Sequence, residues 1–436
     1  MSRLQSWATL DRRVWQMAFA RAVNTMGLSL VMSFLGIYVV EGRGYPAWVY
    51  GVICLCANLG QSVSNAWAGN LSDRIGRRPL ITGALFVRSG FIALLGTQIG
   101  LDAPIWTIAV NIVISSMLRG CFEPVAYALV ADVVTDEQRI NAFGLQRMGT
   151  NLGWAVGPAL GGMLTLVVPY GVVFYCAAAG MVAAGIVTMN VKDPITRSAA
   201  KASEPLRNAI ASSLANPLLR VLLAGTLMCA LLETQMFSTM AIYMTDRVHL
   251  TKADVGWLYT INGLGVLTLQ VPALSLVRRL GISRTLPWAS LLDAIGFALI
   301  GLGSGVPGGA LAMLTLTSAE VVFDPSHQTA IAEIADPAHR GRTYGVVGLA
   351  QTLGIAFAPL IGGLLLDTLG DHHALVWSLI AVFGLGQAAC FAVFVRRRNH
   401  HFDRQAPAIL LGNRHATGDR RAAGVDDGGV PEQRLG

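Results

Sequence analysis

Twelve stretches of this chain are long and apolar enough to cross a lipid bilayer, and no other feature of the sequence limits its fold so tightly. A transmembrane helix needs about 20 mostly apolar residues. Such runs lie at residues 14–40, 49–68, 79–99, 104–131, 141–167, 171–190, 218–244, 254–275, 285–303, 308–333, 343–366 and 373–395. Charged residues are 13% of the 436, against roughly 25% in ordinary soluble domains. The polar surface that would cover so much apolar area in water is therefore missing. This excludes an ordinary soluble enzyme, a disordered chain and a small disulfide scaffold. The 6 cysteines all fall inside apolar runs and read as small core hydrophobes. Residues 1–13 lack the short apolar core and small-residue site of a cleaved signal peptide.

Charge placement tests the count. With both termini on one side, 25 of the 32 Lys and Arg residues fall on that face, and only Arg43, Arg247 and Lys252 fall on the other. Arg21, Arg88, Arg119 and Arg147 lie within spans. Basic residues gather on the cytoplasmic side of membrane proteins, so the split predicts an even number of spans with both ends inside. The net charge of +7 follows the membrane face rather than one patch. The expected partner is the bilayer, and no nucleic acid is expected. A polar segment, 191–217, divides six spans (1–190) from six (218–396), and a period-free tail, 397–436, reads as disordered.

The halves repeat each other. Glu123-Pro124, Asp132, Arg139, Gly157-Pro158 and Gly161-Gly162 recur 201 residues later as Asp324-Pro325, Glu333, Arg340, Ala358-Pro359 and Gly362-Gly363. Chance apolar similarity does not keep polar residues in register. Six spans followed by six in parallel orientation form a repeat about an axis along the membrane normal. The predicted fold is an all-α integral membrane protein of 12 helices in two pseudo-symmetric six-helix bundles.

One short loop is more specific. After the second span the chain reads Gly69-Asn-Leu-Ser-Asp73-Arg74-Ile-Gly76-Arg77-Arg78. This resembles the signature of the major facilitator superfamily. In span five, Gly153-x-x-x-Gly157-Pro158-x-x-Gly161-Gly162 is similar to a motif of that superfamily's exporters, especially its drug:proton antiporters. The acid-Pro pairs resemble those of a subset of drug-resistance members. The resemblance covers roughly residues 10–396 and implies alternating access around a central cavity lined by spans one, four, seven and ten. It also implies a latch in the loop, with Asp73 accepting from a helix N-terminus of the other half and Arg77 reaching Asp132. The alternative is that Arg74, Arg77 and Arg78 only anchor the inner face, where basic residues are favoured in any case. That alternative leaves Asp73, Gly69 and Gly76 unexplained. Gly153, Gly157, Gly161 and Gly162 of span five lie at helical spacing on one face and let backbones approach, while Pro158 favours a bend. Packing and bending are both open readings.

Charge inside the bilayer is the most informative feature for chemistry. A midplane charge costs at least about 2.5–3.5 kcal/mol on insertion scales. Yet Arg119, Glu123, Glu233, Glu320 and Asp324 stand near the middle of spans four, seven and ten. Arg119 and Glu123 are four residues apart on one helix face, as are Glu320 and Asp324 at the repeat-equivalent places. An inert ion pair accounts for one acid, but four acids and one base cannot all pair. The excess points to a proton, because crowded carboxyls in low dielectric do not all stay ionised. Glu233, Glu320 and Asp324 are the leading candidates for coupling or cation binding, with Arg119 modulating Glu123. Arg21 and Asn24 either anchor span one or line the cavity. Arg147 either snorkels to the inner surface or points inward. Arg88 and Asp293, at matching places in spans three and nine, read as structural pairing with neighbours. His327 either joins a proton path or is a satisfied core histidine.

The sequence carries no HExxH, GxSxG or phosphate-binding loop, so no enzyme is expected. No cofactor or metal is expected, and protons are the coupling ion the acids suggest. The expected function is proton-coupled efflux of small amphipathic or cationic compounds, by a monomer in a bacterial cytoplasmic membrane. The alternative is a proton-coupled lipid flippase or a nutrient symporter.

Overall fold

The computed structural model describes residues 10–192, 211, 214–335, 340–369 and 372–422. Its elements are helices: α1 Arg12–Gly42, whose last turn is π-wound, α2 Ala47–Ile75, α3 Arg77–Gly100, α4 Ile105–Val133, α5 Asp136–Leu164 and α6 Tyr170–Met189. The second half has α7 Pro217–Asp246, interrupted at Ser238, then α8 Lys252–Leu280, α9 Ile282–Leu302, α10 Gly305–Ile334, α11 Arg340–Leu369 and α12 His373–Ala422. Among the described residues, 11 helices are apolar enough to cross a membrane. The exception is α5, which has 29 residues but too many polar ones, including Gln146, Arg147 and Asn151. Gln146 turns that polarity on α1, donating to the Val14 carbonyl at 2.9 Å, and Arg147 reaches across the space between the halves.

Local chemistry sets the helix ends. Asp11 caps α1 by accepting from the Arg13 backbone at 2.8 Å, and the bond from Arg13 holds its carboxyl below the usual carboxylate range. Asn216 caps α7 with Pro217 at the first helical position, and Thr251 and Asp254 form a reciprocal capping box on α8. Gly76 (φ 95°) and Gly281 (φ 71°) each end one helix and begin the next. That reversal in one residue needs the positive φ that glycine adopts freely. These two glycines are 205 residues apart, so the repeat extends to α1–α3 and α7–α9 with a slightly different offset.

The apolar core has three parts. One unites both halves at the end of the molecule away from the chain termini, with Phe34, Tyr50 and Phe174 from the first half against Ile242, Tyr259 and Trp377 from the second. Toward the terminal face the halves keep separate cores. Val14, Phe122 and Leu129 belong to one, and Leu222, Phe323 and Phe391 to the other. The bundles are therefore fused at the far face and parted toward the terminal face.

Glycine makes the far-face closure possible. A Cβ at Gly363 of α11 would lie 2.6 Å from the Ala47 carbonyl oxygen of α2, and one at Gly162 of α5 would lie 3.0 Å from that of Lys252 in α8. Within the halves, Gly153 and Gly157 press α5 onto α1, each leaving 2.6 Å between a would-be Cβ and a carbonyl oxygen (Ala22 and Met26). Gly354 of α11 does the same against Leu227 of α7. Gly161 meets Phe34 of α1, so Gly162 departs from the expectation of one shared face. One residue further turns it by about 100° on the helix, onto α8. Pro158 lies within an unbroken α5.

The tail also differs from expectation. Residues 397–422 continue α12 as helix. Most of the 191–217 segment and residues 423–436 lie outside the described residues.

Candidate functional site

Between the halves lies a cavity of about 290 Å³. The first half contributes Tyr50, Asn58, Arg119 and Trp154, and the second contributes Glu233, Phe237 and Gln351. Trp154 and Phe237 bring their rings to 4.4 Å across the boundary, and Tyr259 stacks behind Phe237 at 5.3 Å. The wall is thus apolar and aromatic, with one cationic and one anionic side chain.

The charges of the first half close on one another. Arg21 of α1, fully enclosed, donates to the Glu123 carboxylate and lies over the Tyr127 ring at 3.9 Å. Arg119 sits 3.8 Å from the same carboxylate and donates to Gln61 at 3.1 Å. Arg88 of α3 donates to Asn24 and, at 3.3 Å, to Ser115 of α4. Arg21 and Asn24 are therefore buried parts of a network inside the first bundle rather than cavity wall. The expected structural pairing of Arg88 is met.

In the second half the acids stay open. Glu233, Asp293 and Glu320 line a second pocket of about 60 Å³ with Met236, Phe237, Phe297 and Leu316. Glu320 accepts from Asn262 of α8 at 3.0 Å. One oxygen of Glu233 and one of Asp293 are buried without a hydrogen-bond partner. Asp293 has the neutral amide of Gln387 of α12 as a polar neighbour, but unlike Arg88 it meets no opposite charge among the described residues that line its pocket. α9 turns it toward α7 and α10, where the neighbours are acids, and no cation lines the pocket. His327 is a satisfied core residue, 2.8 Å from the Thr226 hydroxyl and stacked on Phe323.

Among the described residues, side-chain hydrogen bonds join the halves at two places. Arg147 of α5 reaches Asp324 of α10 at 2.7 Å, with both side chains partly exposed in the gap between the bundles. Arg147 thus points inward. At the far face, the Asp367 carboxylate of α11 accepts from the backbone N–H groups of Ala47 (3.0 Å) and Trp48 (2.8 Å), capping the start of α2. Sequence reasoning missed this acid because it sits at a helix end and looks like solvated surface. In the loop after α2, Arg77 pairs with Asp132 as expected, Arg74 is exposed, and Gly76 makes the turn. Gly69 and the side chain of Asp73 lie outside the described residues.

Two six-helix bundles, duplicated in sequence and meeting around an aromatic cavity that holds one cation and one anion, make this a multi-pass membrane transporter. The sequence model of the Major Facilitator Superfamily matches residues 17–232 and again 222–423. "Uncharacterized MFS-type transporter YqjV" of Bacillus subtilis (strain 168) is 24% identical over 398 residues, covering 88% of this chain and 94% of that protein. "Multidrug resistance protein MdtH" of Aeromonas salmonicida (strain A449) is 27% identical over 359 residues, 81% and 87% of the two chains. Among solved structures, a mutant of the nucleoside transporter NupG superposes with a TM-score of 0.73 at 13% identity, covering 88% of this chain and all of that one. A bacterial homologue of the human lysosomal transporter Spinster, inward-facing and occupied, gives 0.70 at 16%, covering 88% and 96%. The chain belongs to the Major Facilitator Superfamily. It is a small-molecule transporter of the lipid bilayer, not an enzyme.

Proposed function

We propose that this protein is a proton-coupled exporter of small amphipathic cations in a bacterial cytoplasmic membrane, working by alternating access as a monomer. The observation that carries the reading is the position of Glu233, on the wall of the central cavity and of the acid pocket at once. A group so placed meets a cation from the cavity and a proton from the pocket. Protons and cations that bind one charged site exclude each other, and that exclusion is exchange. The aromatic wall of Trp154, Phe237 and Tyr50 suits a flat apolar body carrying positive charge. The relative named for multidrug resistance supports the same load. The split of basic residues puts the terminal face in the cytoplasm, so the parted bundles face inward, ready to load.

The test is transport of ethidium, a planar aromatic cation, into everted vesicles carrying an imposed pH gradient. Acidic-inside vesicles accumulate the dye, and Glu233→Gln lowers that accumulation by about tenfold or more, the loss of about 1.4 kcal/mol or more of drive. Dye movement that ignores the gradient in the wild-type protein overturns proton coupling. Accumulation only with the gradient reversed assigns the chain to the symporters.

A further inference from the structure

Asp293 is 3% exposed, on a helix outside the set that lines the central cavity. A bare carboxylate in hydrocarbon is costly, so an acid there calls for a partner or a function. A cationic partner is absent from the pocket lining, and the acid's polar neighbour on α12 is the neutral amide of Gln387. One oxygen of Asp293 has no hydrogen bond, and the pocket it opens onto holds Glu233 from α7 and Glu320 from α10. Asp324 of α10 and Gln387 of α12 stand nearby, and Asp324 already has Arg147. The remaining lining is Met236, Phe237, Phe297 and Leu316.

A metal cation has no home here. Sodium or calcium needs about six oxygen ligands at short range, and Met236, Phe237, Phe297 and Leu316 make more than half of this wall hydrocarbon. A proton needs only one carboxyl oxygen and a route. The pocket of about 60 Å³ has room for at least one water, and Glu233 connects it to the cavity.

We propose that Asp293 is the group that loads and unloads the coupled proton, one layer behind Glu233, which meets the substrate; this rests on the proton-coupled reading above. In the inward-facing state an O–H bond breaks at Asp293 and forms at Glu233 through the bridging water, and the proton then leaves Glu233 for the cavity. Both carboxylates are left ionised, and this doubled negative charge draws in the cation. In the outward-facing state the proton arrives by the reverse path. It neutralises Asp293, and the cation, facing half the charge, departs. Substrate and proton thus compete through the charge of a pair rather than for the same atoms.

The experiment is ethidium binding to purified protein as a function of pH, with wild type, Asp293→Asn, Asp293→Glu and Glu233→Gln. In wild type the dissociation constant falls by up to about tenfold per pH unit as one proton is released. In Asp293→Asn it becomes flat within about twofold, Asp293→Glu restores the slope, and Glu233→Gln weakens binding by about tenfold or more at every pH. A wild-type slope retained in Asp293→Asn overturns the proposal, as does weakening at every pH like that of Glu233→Gln. A flat wild-type profile without gradient-driven transport fails the coupling reading itself. If Asp293→Asn does not fold, carbodiimide modification of the wild-type protein decides. Labelling of Asp293 that declines as pH rises supports the proposal, and labelling confined to Glu233 overturns it.

Discussion

Arg21, Arg88, Arg119 and Glu123 in the first half stand where the second half has Thr226, Asp293, Glu320 and Asp324. The first two correspond at an offset of 205 residues and the last two at 201. One backbone plan therefore carries a basic interior in one copy and an acidic interior in the other. The difference extends to the pairing of opposite charges. In the first half a single carboxylate gathers two guanidiniums, and the third is held by Asn24 and Ser115. In the second half no cation lines the pocket of Glu233, Asp293 and Glu320, and Asp324 finds its cation by reaching into the other bundle. Duplication supplied a scaffold twice. One copy holds fixed charge and the other holds charge free to change.

The sharpest way to break this comparison is to remove the acid from the side where charges are paired. Glu123→Gln strands the enclosed Arg21 and is expected to cost about 3–5 kcal/mol, seen as lost folded protein in size-exclusion profiles. Glu233→Gln has no cation to strand and should fold as well as wild type. Equal losses in the two variants would end the distinction. Packing, in contrast, should be symmetric. Gly153→Val and Gly354→Val each drive a side chain into the backbone of α1 or α7 and should lower stability alike, by about 1–3 kcal/mol or more, whereas Gly348→Ala, with nothing within 4 Å, should be silent in a thermal melt. The locks between the halves come next. Asp367→Ala removes the acceptor that caps the start of α2. A cap of about 1 kcal/mol corresponds to about a fivefold shift toward the state open at the far face, measurable as a change in spin-label distances across α2 and α11. The smallest effect belongs to Arg147→Ala. Its pair with Asp324 is 53% and 39% exposed, and exposed pairs contribute about 0–1 kcal/mol. Stability should barely move, and ethidium affinity should rise if Asp324 becomes open to a guest cation.

The spans were legible because bilayer thickness writes itself into run length, and the repeat because acids, prolines and glycines kept register. Glu233 was legible because a lone midplane acid has no bland explanation. Asp293 was not, since its role depends on which way α9 turns, and a 21-residue helix of nearly uniform apolarity does not declare its face. Gly162 was assigned with Gly161 because spacing alone does not reveal that a second helix waits a quarter-turn away. Trp154 and Phe237 looked like any aromatic in a span until the two halves were set against each other.

The cap on α2 is asymmetric in another sense. Its acceptor is one side chain, Asp367, but its donors are backbone amides that every residue except proline provides. Substitution in α11 can abolish the lock, whereas almost any substitution at positions 47 and 48 leaves it intact. In a saturation scan the contact will register on one helix only, and its two ends will not co-vary among relatives. A joint that closes half of a transporter's cycle can thus be absolute in geometry and invisible to any method that looks for paired side chains.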